Sequence, residues 1–169
     1  KDTLALAKIG VDSDCPMKIV ETVIKSNLDI KFRMLSKLRT LCDDSFKNKK
    51  IAILGVTFKP ETDDMREAPS ITIIPNLLSE GATVNVFCPA GFKEGEKLLG
   101  NVNWMFDAYS ASKGCDLLVI LTEWDEFREL DLKKLSSLMN SPRLADLRNI
   151  FTKEIAHSAG FTKYDGVGQ

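Results

Sequence analysis

Three short polar clusters, each at the end of an apolar run, hold the residues of this 169-residue chain best suited to chemistry. The first is Lys59, Asp63, Asp64 and Arg66 within IAILGVTFKPETDDMREAPS, residues 51–70. Lys59 is a compact cation suited to a phosphate, and Arg66 is a planar fork able to bind phosphate or carboxylate through paired N–H donors. Asp63 and Asp64 either hold Arg66 in place or cap backbone groups of a solvated turn. The second cluster, Thr122-Glu123-Trp124-Asp125-Glu126-Phe127, follows the apolar run 117–121. It is either part of a polar site or a turn in which Trp124 and Phe127 plug the core. The third is Asp146-Leu147-Arg148-Asn149. The two cations of the first loop suggest a phosphate-bearing ligand.

Positioning these clusters requires strands that end together. Ile51–Leu54 reads as a buried strand that passes through Gly55 into a long polar loop, with a helix starting at Ala68-Pro69. Lys59 precedes Pro60, which biases it to an extended conformation and keeps the helix from starting there. The pattern predicts strands at 50–55, 83–87, 103–106, 117–121 and 144–145. It predicts helices at 69–80, 109–113, 131–139 and 149–156, with Gly81 as a C-terminal cap and Asp131 as an N-cap. Residues 160–169 read as an edge strand with a frayed end. Apolar strands separated by helices predict an α/β fold, a Rossmann-like, mainly parallel sheet with helices on both faces. In such a sheet the three clusters converge on one crevice beyond the strands' carboxyl ends. The G-x-G-x-x-G fingerprint of a dinucleotide site is missing; only Gly55 is present, and Phe87-Cys88-Pro89 stands where an acidic residue would bind the ribose.

A long helical pattern, from Cys15-Pro16 to about Asp43, precedes the sheet. Its length is roughly 40 Å at the usual rise per residue. Val20, Val23, Ile30, Met34, Leu38 and Leu41 form one apolar stripe, and Ile19, Ile24, Leu28 and Leu35 widen it. So apolar a helix needs a partner, either another domain or a second copy of itself. Asn27 falls within the stripe, as a partly exposed residue or as a buried device fixing register across an interface. The net charge of −1 gives no basic field for nucleic acid or an anionic membrane. No apolar run approaches about 18 residues and no signal peptide opens the chain. Four cysteines without a C-x-x-C pair fit a reducing, cytoplasmic setting. The chain opens on Lys rather than Met, which suggests a piece of a longer protein.

Taken together, GVTFKPETDDMREAPS (55–70), VILTEWDEF (119–127), DLRN (146–149) and GFTKY (160–164) resemble the UDP-glucose/GDP-mannose dehydrogenase family over essentially the whole chain. TEWDEF looks more like the UDP-glucose members than the GDP-mannose or UDP-N-acetylmannosamine ones. The resemblance implies NAD-dependent oxidation of UDP-glucose to UDP-glucuronate in two steps through Cys-linked intermediates. It implies that 1–48 end a central helical domain that forms a homodimer through residues 16–41, and that 49–169 form a UDP-binding domain. The family's motif Cys-Phe-Pro-Lys-Asp implies that this chain begins just after the nucleophilic Cys and is inactive alone. By the same resemblance Asp2 is the catalytic Asp, Lys59 and Arg148 contact the nucleotide-sugar, and Arg66 and Lys1 reach NAD, which is bound mainly by an N-terminal domain outside this sequence. No metal is implied. The alternatives are another nucleotide-sugar dehydrogenase of the family or a stand-alone, non-catalytic nucleotide-binding module. Cys88 stands where the family usually has Asp, and the tail Val167-Gly168-Gln169 lacks the family's closing Arg.

Overall fold

Strand β1 (Lys50–Leu54) is buried from Ile51 onward and is flanked on both sides by parallel neighbours, so it reads as a continuous apolar run rather than an alternating one. The computed structural model describes residues 2–168. Its other strands are β2 (Thr83–Phe87), β3 (Asn103–Trp104), β4 (Leu117–Ile120), β5 (Arg143–Asp146) and β6 (Lys163–Gly166). All pairings are parallel, in the order β3-β2-β1-β4-β5-β6. This is the order of the doubly wound dinucleotide fold, whose direction of growth reverses between β1 and β4. The expected α/β sheet is present, with the tail supplying its edge strand.

The helices form where capping and burial agree. Helix α3 (Pro69–Ser79) starts with Pro at its first position and ends before Gly81, whose φ of +88° closes the turn. Helix α5 (Ala108–Ser112) is capped by Asp107, and α7 (Leu132–Leu138) by Asp131, which accepts from the N–H of Lys134 at 3.0 Å. Trp124 and Phe127, around the short α6 (Asp125–Arg128), are buried, so they do plug the core. Several elements differ from expectation. The helix expected at 149–156 is α8 (Lys153–Ser158), because Asn149 has φ +53° and Thr152 provides the N-cap. Helix α4 (Phe92–Leu98) was not expected; it packs on Trp104 through Gly95, where a Cβ would lie 2.5 Å from the indole ring.

Two helices precede the sheet. Helix α1 (Asp2–Asp12), also unexpected, turns at Ser13–Pro16 into α2 (Lys18–Leu41), which is shorter than 16–43 at both ends. Only the last turns of α2 dock on the sheet, through Leu35, Leu38 and Leu41. There Arg143 donates to the Leu41 carbonyl at 2.6 Å, satisfying a helix-end acceptor. Asp43, at φ +58°, meets Arg143 at 2.8 Å and Lys163 at 2.9 Å. Hydrogen bonds from Lys163 and Arg143 hold its carboxyl down to about 2. Its contribution to stability is therefore present above its ordinary value of 3.8 and is lost as pH falls through about 2.

Of the four cysteines, all free, Cys15 is exposed and the other three are buried. Burial pushes the Cys42 thiol up to about 11 and the Cys115 thiol up to about 12. Both stay protonated, and the thiolate is the form that reacts. Brief treatment of the native protein with iodoacetamide at mild alkaline pH is expected to label Cys15 and spare Cys42 and Cys115 until denaturant is added. Peptide mapping that finds Cys42 or Cys115 labelled as fast as Cys15 would contradict this burial.

Candidate functional site

The carboxyl end of β1 is locked from two sides before its loop reaches solvent. Thr122, beyond β4, donates its hydroxyl to the Thr57 carbonyl at 2.7 Å, and Trp124 donates its indole N–H to Thr57 Oγ1 at 3.3 Å. Thr57 Oγ1 in turn donates to the Lys59 carbonyl at 3.0 Å, and Ser70 of α3 donates to the Val56 carbonyl. Buried polar groups that are all bonded make a rigid support. The result is a fixed exit for Phe58 and Lys59, whose side chains are exposed.

The same packing sits at the point between β1 and β4 where the strand order reverses. Gly55 has φ +77°, and a Cβ there would lie 2.7 Å from Thr122 Cβ and 2.9 Å from the Thr122 carbonyl. Only a glycine fits at this position, and the end of β2 offers Cys88 rather than an acid. The sheet's switch point thus carries a single glycine, Gly55, packed against Thr122.

The loop 55–68 closes on itself further out. The Phe58 N–H donates to the Asp64 carbonyl at 2.8 Å, and Arg66 donates from Nε and Nη2 to the two Asp64 carboxylate oxygens at 2.8 and 2.6 Å. Asp64 also accepts from the Arg66 backbone N–H at 2.9 Å. Both readings of this aspartate therefore hold: it caps the turn and it holds the guanidinium, whose side chain remains 68% exposed. The clamp is made by Asp64 and not by Asp63.

Arg148 lies just beyond β5. The buried Asp146 accepts from the Arg148 N–H at 3.1 Å and the Phe151 N–H at 2.8 Å, fixing the loop. Burial pushes the Asp146 carboxyl up, and these backbone donors pull it back. Arg148 Nε donates to the Leu121 carbonyl at 2.7 Å and lies 3.1 Å from Glu123 Oε2. Among the described residues nothing accepts from its two terminal nitrogens.

These pieces meet at a groove of about 550 Å³ between α1, the first half of α2 and the carboxyl end of the sheet. Arg148, Phe58, Glu67, Asn27, Lys31 and Thr3 contribute to its lining. The groove thus joins the third cluster to neighbours of Lys59, Arg66 and Asp2, while those three lie outside its lining. Asp2 is exposed at the first turn of α1, beside Thr3, and Arg66 borders a separate depression with Asp63 and Glu94. Lys1 lies outside the described residues. Asn27, the polar residue within the α2 stripe, is exposed within the single chain and lies on the groove; Lys31 beside it has no local signal of a site, because helix periodicity cannot say which loops a helix faces.

Comparison with known proteins agrees with this fold. Residues 52–153 match the UDP-glucose/GDP-mannose dehydrogenase family, UDP binding domain. The chain is 42% identical over its whole length to a UDP-glucose 6-dehydrogenase of Rhizobium meliloti, of which it covers 38%. It is 37% identical to the UDP-glucose 6-dehydrogenase TuaD of Bacillus subtilis, covering 36% of that protein. A UDP-glucose dehydrogenase structure from Pyrobaculum islandicum superposes with a TM-score of 0.80 at 25% identity, over 98% of this chain and 35% of that one. The chain thus spans little more than a third of the relatives it matches. It belongs to the UDP-glucose/GDP-mannose dehydrogenase family and contains that family's UDP binding domain.

Proposed function

We propose that this chain forms the nucleotide-sugar wall of an NAD-dependent UDP-glucose 6-dehydrogenase, which oxidises the C6 alcohol of UDP-glucose to a carboxylate in two steps. One observation carries the proposal: the groove brings a half-buried guanidinium with unused terminal donors against the start of α1, beside Asp2. Arg148 binds the sugar-nucleotide through those donors. Lys59 attracts the diphosphate from the rim, and Asp2 is the base that assists the nucleophile or a water. Residues 1–48 belong to the central helical domain, and 49–169 form the UDP-binding domain.

NAD accepts the hydride when bound. This chain contributes Arg66, and by the family motif Lys1, as cations facing a cofactor held mainly by other parts of the whole protein. No cysteine lines the groove among the described residues, so the thiol of the Cys-linked intermediates also comes from elsewhere, and the 169 residues alone are inactive. The free, mostly buried thiols fit a reducing, cytoplasmic setting. Calorimetry on the full-length protein with UDP-glucose, UDP and GDP tests the ligand class, and NADH formation with several nucleotide-sugars tests the reaction. Preference for another sugar, or binding without turnover, overturns the assignment.

The first half of α2 supports a homodimer. Ile19 is 81% exposed, and Val23, Leu28 and Phe32 are about half exposed. An apolar stripe of this length left in water marks an interaction surface. Phe32→Asp is expected to shift the protein from dimer to monomer in light scattering at micromolar concentration. A wild type that is already monomeric, or a variant that stays dimeric, removes this helix from the interface.

A further inference from the structure

The groove's arginine is held by a second residue to which the reaction assigns no role. Arg148 Nε has a single N–H, and it is spent on the Leu121 carbonyl at 2.7 Å. Glu123 places Oε2 3.1 Å from the same nitrogen, off the axis of that N–H. This oxygen is enclosed and receives no hydrogen bond from any described residue. A carboxylate oxygen left without a donor is costly, so its place is explained only by the charge it faces. We infer that Glu123 is a positioning residue for substrate binding: its carboxylate holds the Nε edge of Arg148 against Leu121, so that the two terminal nitrogens face the groove as a fixed fork. The inference rests on the reading of Arg148 as a substrate contact.

Two effects of this carboxylate oppose each other. It orients the guanidinium, and it also lowers the positive potential felt by an anionic ligand. Both side chains are about 30% exposed, so the field of Glu123 is partly screened by water at the distance of a ligand phosphate. Bidentate pairing depends on the fork being coplanar with its acceptor, and this requirement is not screened. Orientation therefore outweighs charge.

The test is a double-mutant cycle in the full-length protein, with KM and kcat for UDP-glucose as the readout and the melting temperature as the check on folding. Glu123→Gln keeps the side chain's size and removes its charge. It is expected to raise KM about tenfold with kcat changed less than about threefold. In an Arg148→Ala background the same substitution is expected to add nothing, since Glu123 acts only through Arg148. An unchanged or lower KM in Glu123→Gln overturns the inference and identifies the carboxylate as a brake on charge. An effect that persists in the Arg148→Ala background overturns it in favour of a structural role. If Arg148→Ala itself leaves KM unchanged, the fault lies with Arg148 as a substrate contact, and both readings fall together.

Discussion

Gly55→Ala should destabilise this domain by about 3 kcal/mol, a large share of the stability of an ordinary domain. Part of the cost is conformational: Gly55 has φ +77°, and an L side chain there costs about 1 kcal/mol or more. The larger part is steric. The new Cβ would lie 2.7 Å from Thr122 Cβ and 2.9 Å from the Thr122 carbonyl, and neither atom can retreat. Thr122 is tied to the Thr57 carbonyl, Leu121 N–H donates to the Leu54 carbonyl at 3.0 Å, and Gly55 N–H donates to the Phe87 carbonyl at 2.8 Å. Forcing extra volume into a packed core costs about 1–3 kcal/mol. Gly100→Ala is the control: its φ of +74° is similar, but the nearest atom is Leu78 Cδ1 at 3.9 Å. It should lose only the conformational part, about 1 kcal/mol. Urea unfolding of both variants decides the matter. Equal losses would mean that the contact between the ends of β1 and β4 yields more easily than its hydrogen bonds imply.

That contact explains why the sequence was readable in one respect and opaque in another. The polar clusters stood out because each follows an apolar run, and a parallel sheet necessarily delivers such runs to a common edge. The single glycine after β1 is explained by Thr122, which leaves no space for a Cβ at Gly55. What local pattern could not reveal was the second face of the groove. Helix α1 hides because Leu4, Leu6, Ile9 and Val11 are exposed in the single chain and form no stripe matched to a core within it. Asn27 and Lys31 could be placed on a helix but not opposite a loop. Helix α4 is short and interrupted by Gly95, so its existence depends on Trp104 rather than on its own propensity. Asn149 carries no local sign of a positive φ; the turn is fixed by the bonds of Asn149 to both the N–H and the carbonyl of Val167. For α4 and Asn149 a tertiary contact overrides a local preference.

The largest functional effect is expected at Arg148, and a much smaller one at Lys59, although both are cations at strand ends. Arg148 has a side chain 29% exposed, a pinned Nε and a loop fixed by Asp146. Its ordering is already complete before ligand arrives, so little freedom is lost on binding. Lys59 is exposed on the rim, and its ammonium is a mobile, well-hydrated point charge. Removing a half-buried charged donor costs about 2–3 kcal/mol, so Arg148→Ala should weaken UDP-glucose binding roughly 30- to 150-fold. An exposed pair is worth at most about 1 kcal/mol, so Lys59→Ala should weaken it no more than about fivefold. Salt separates the two further. Raising ionic strength screens the rim charge and should shrink the Lys59 effect toward nothing, while the Arg148 effect persists because its partner is reached inside the groove. Calorimetric titration of both variants at low and high salt measures this directly. A Lys59 effect equal to that of Arg148 and insensitive to salt would place the diphosphate on the loop 55–68, and the groove would then hold only the sugar.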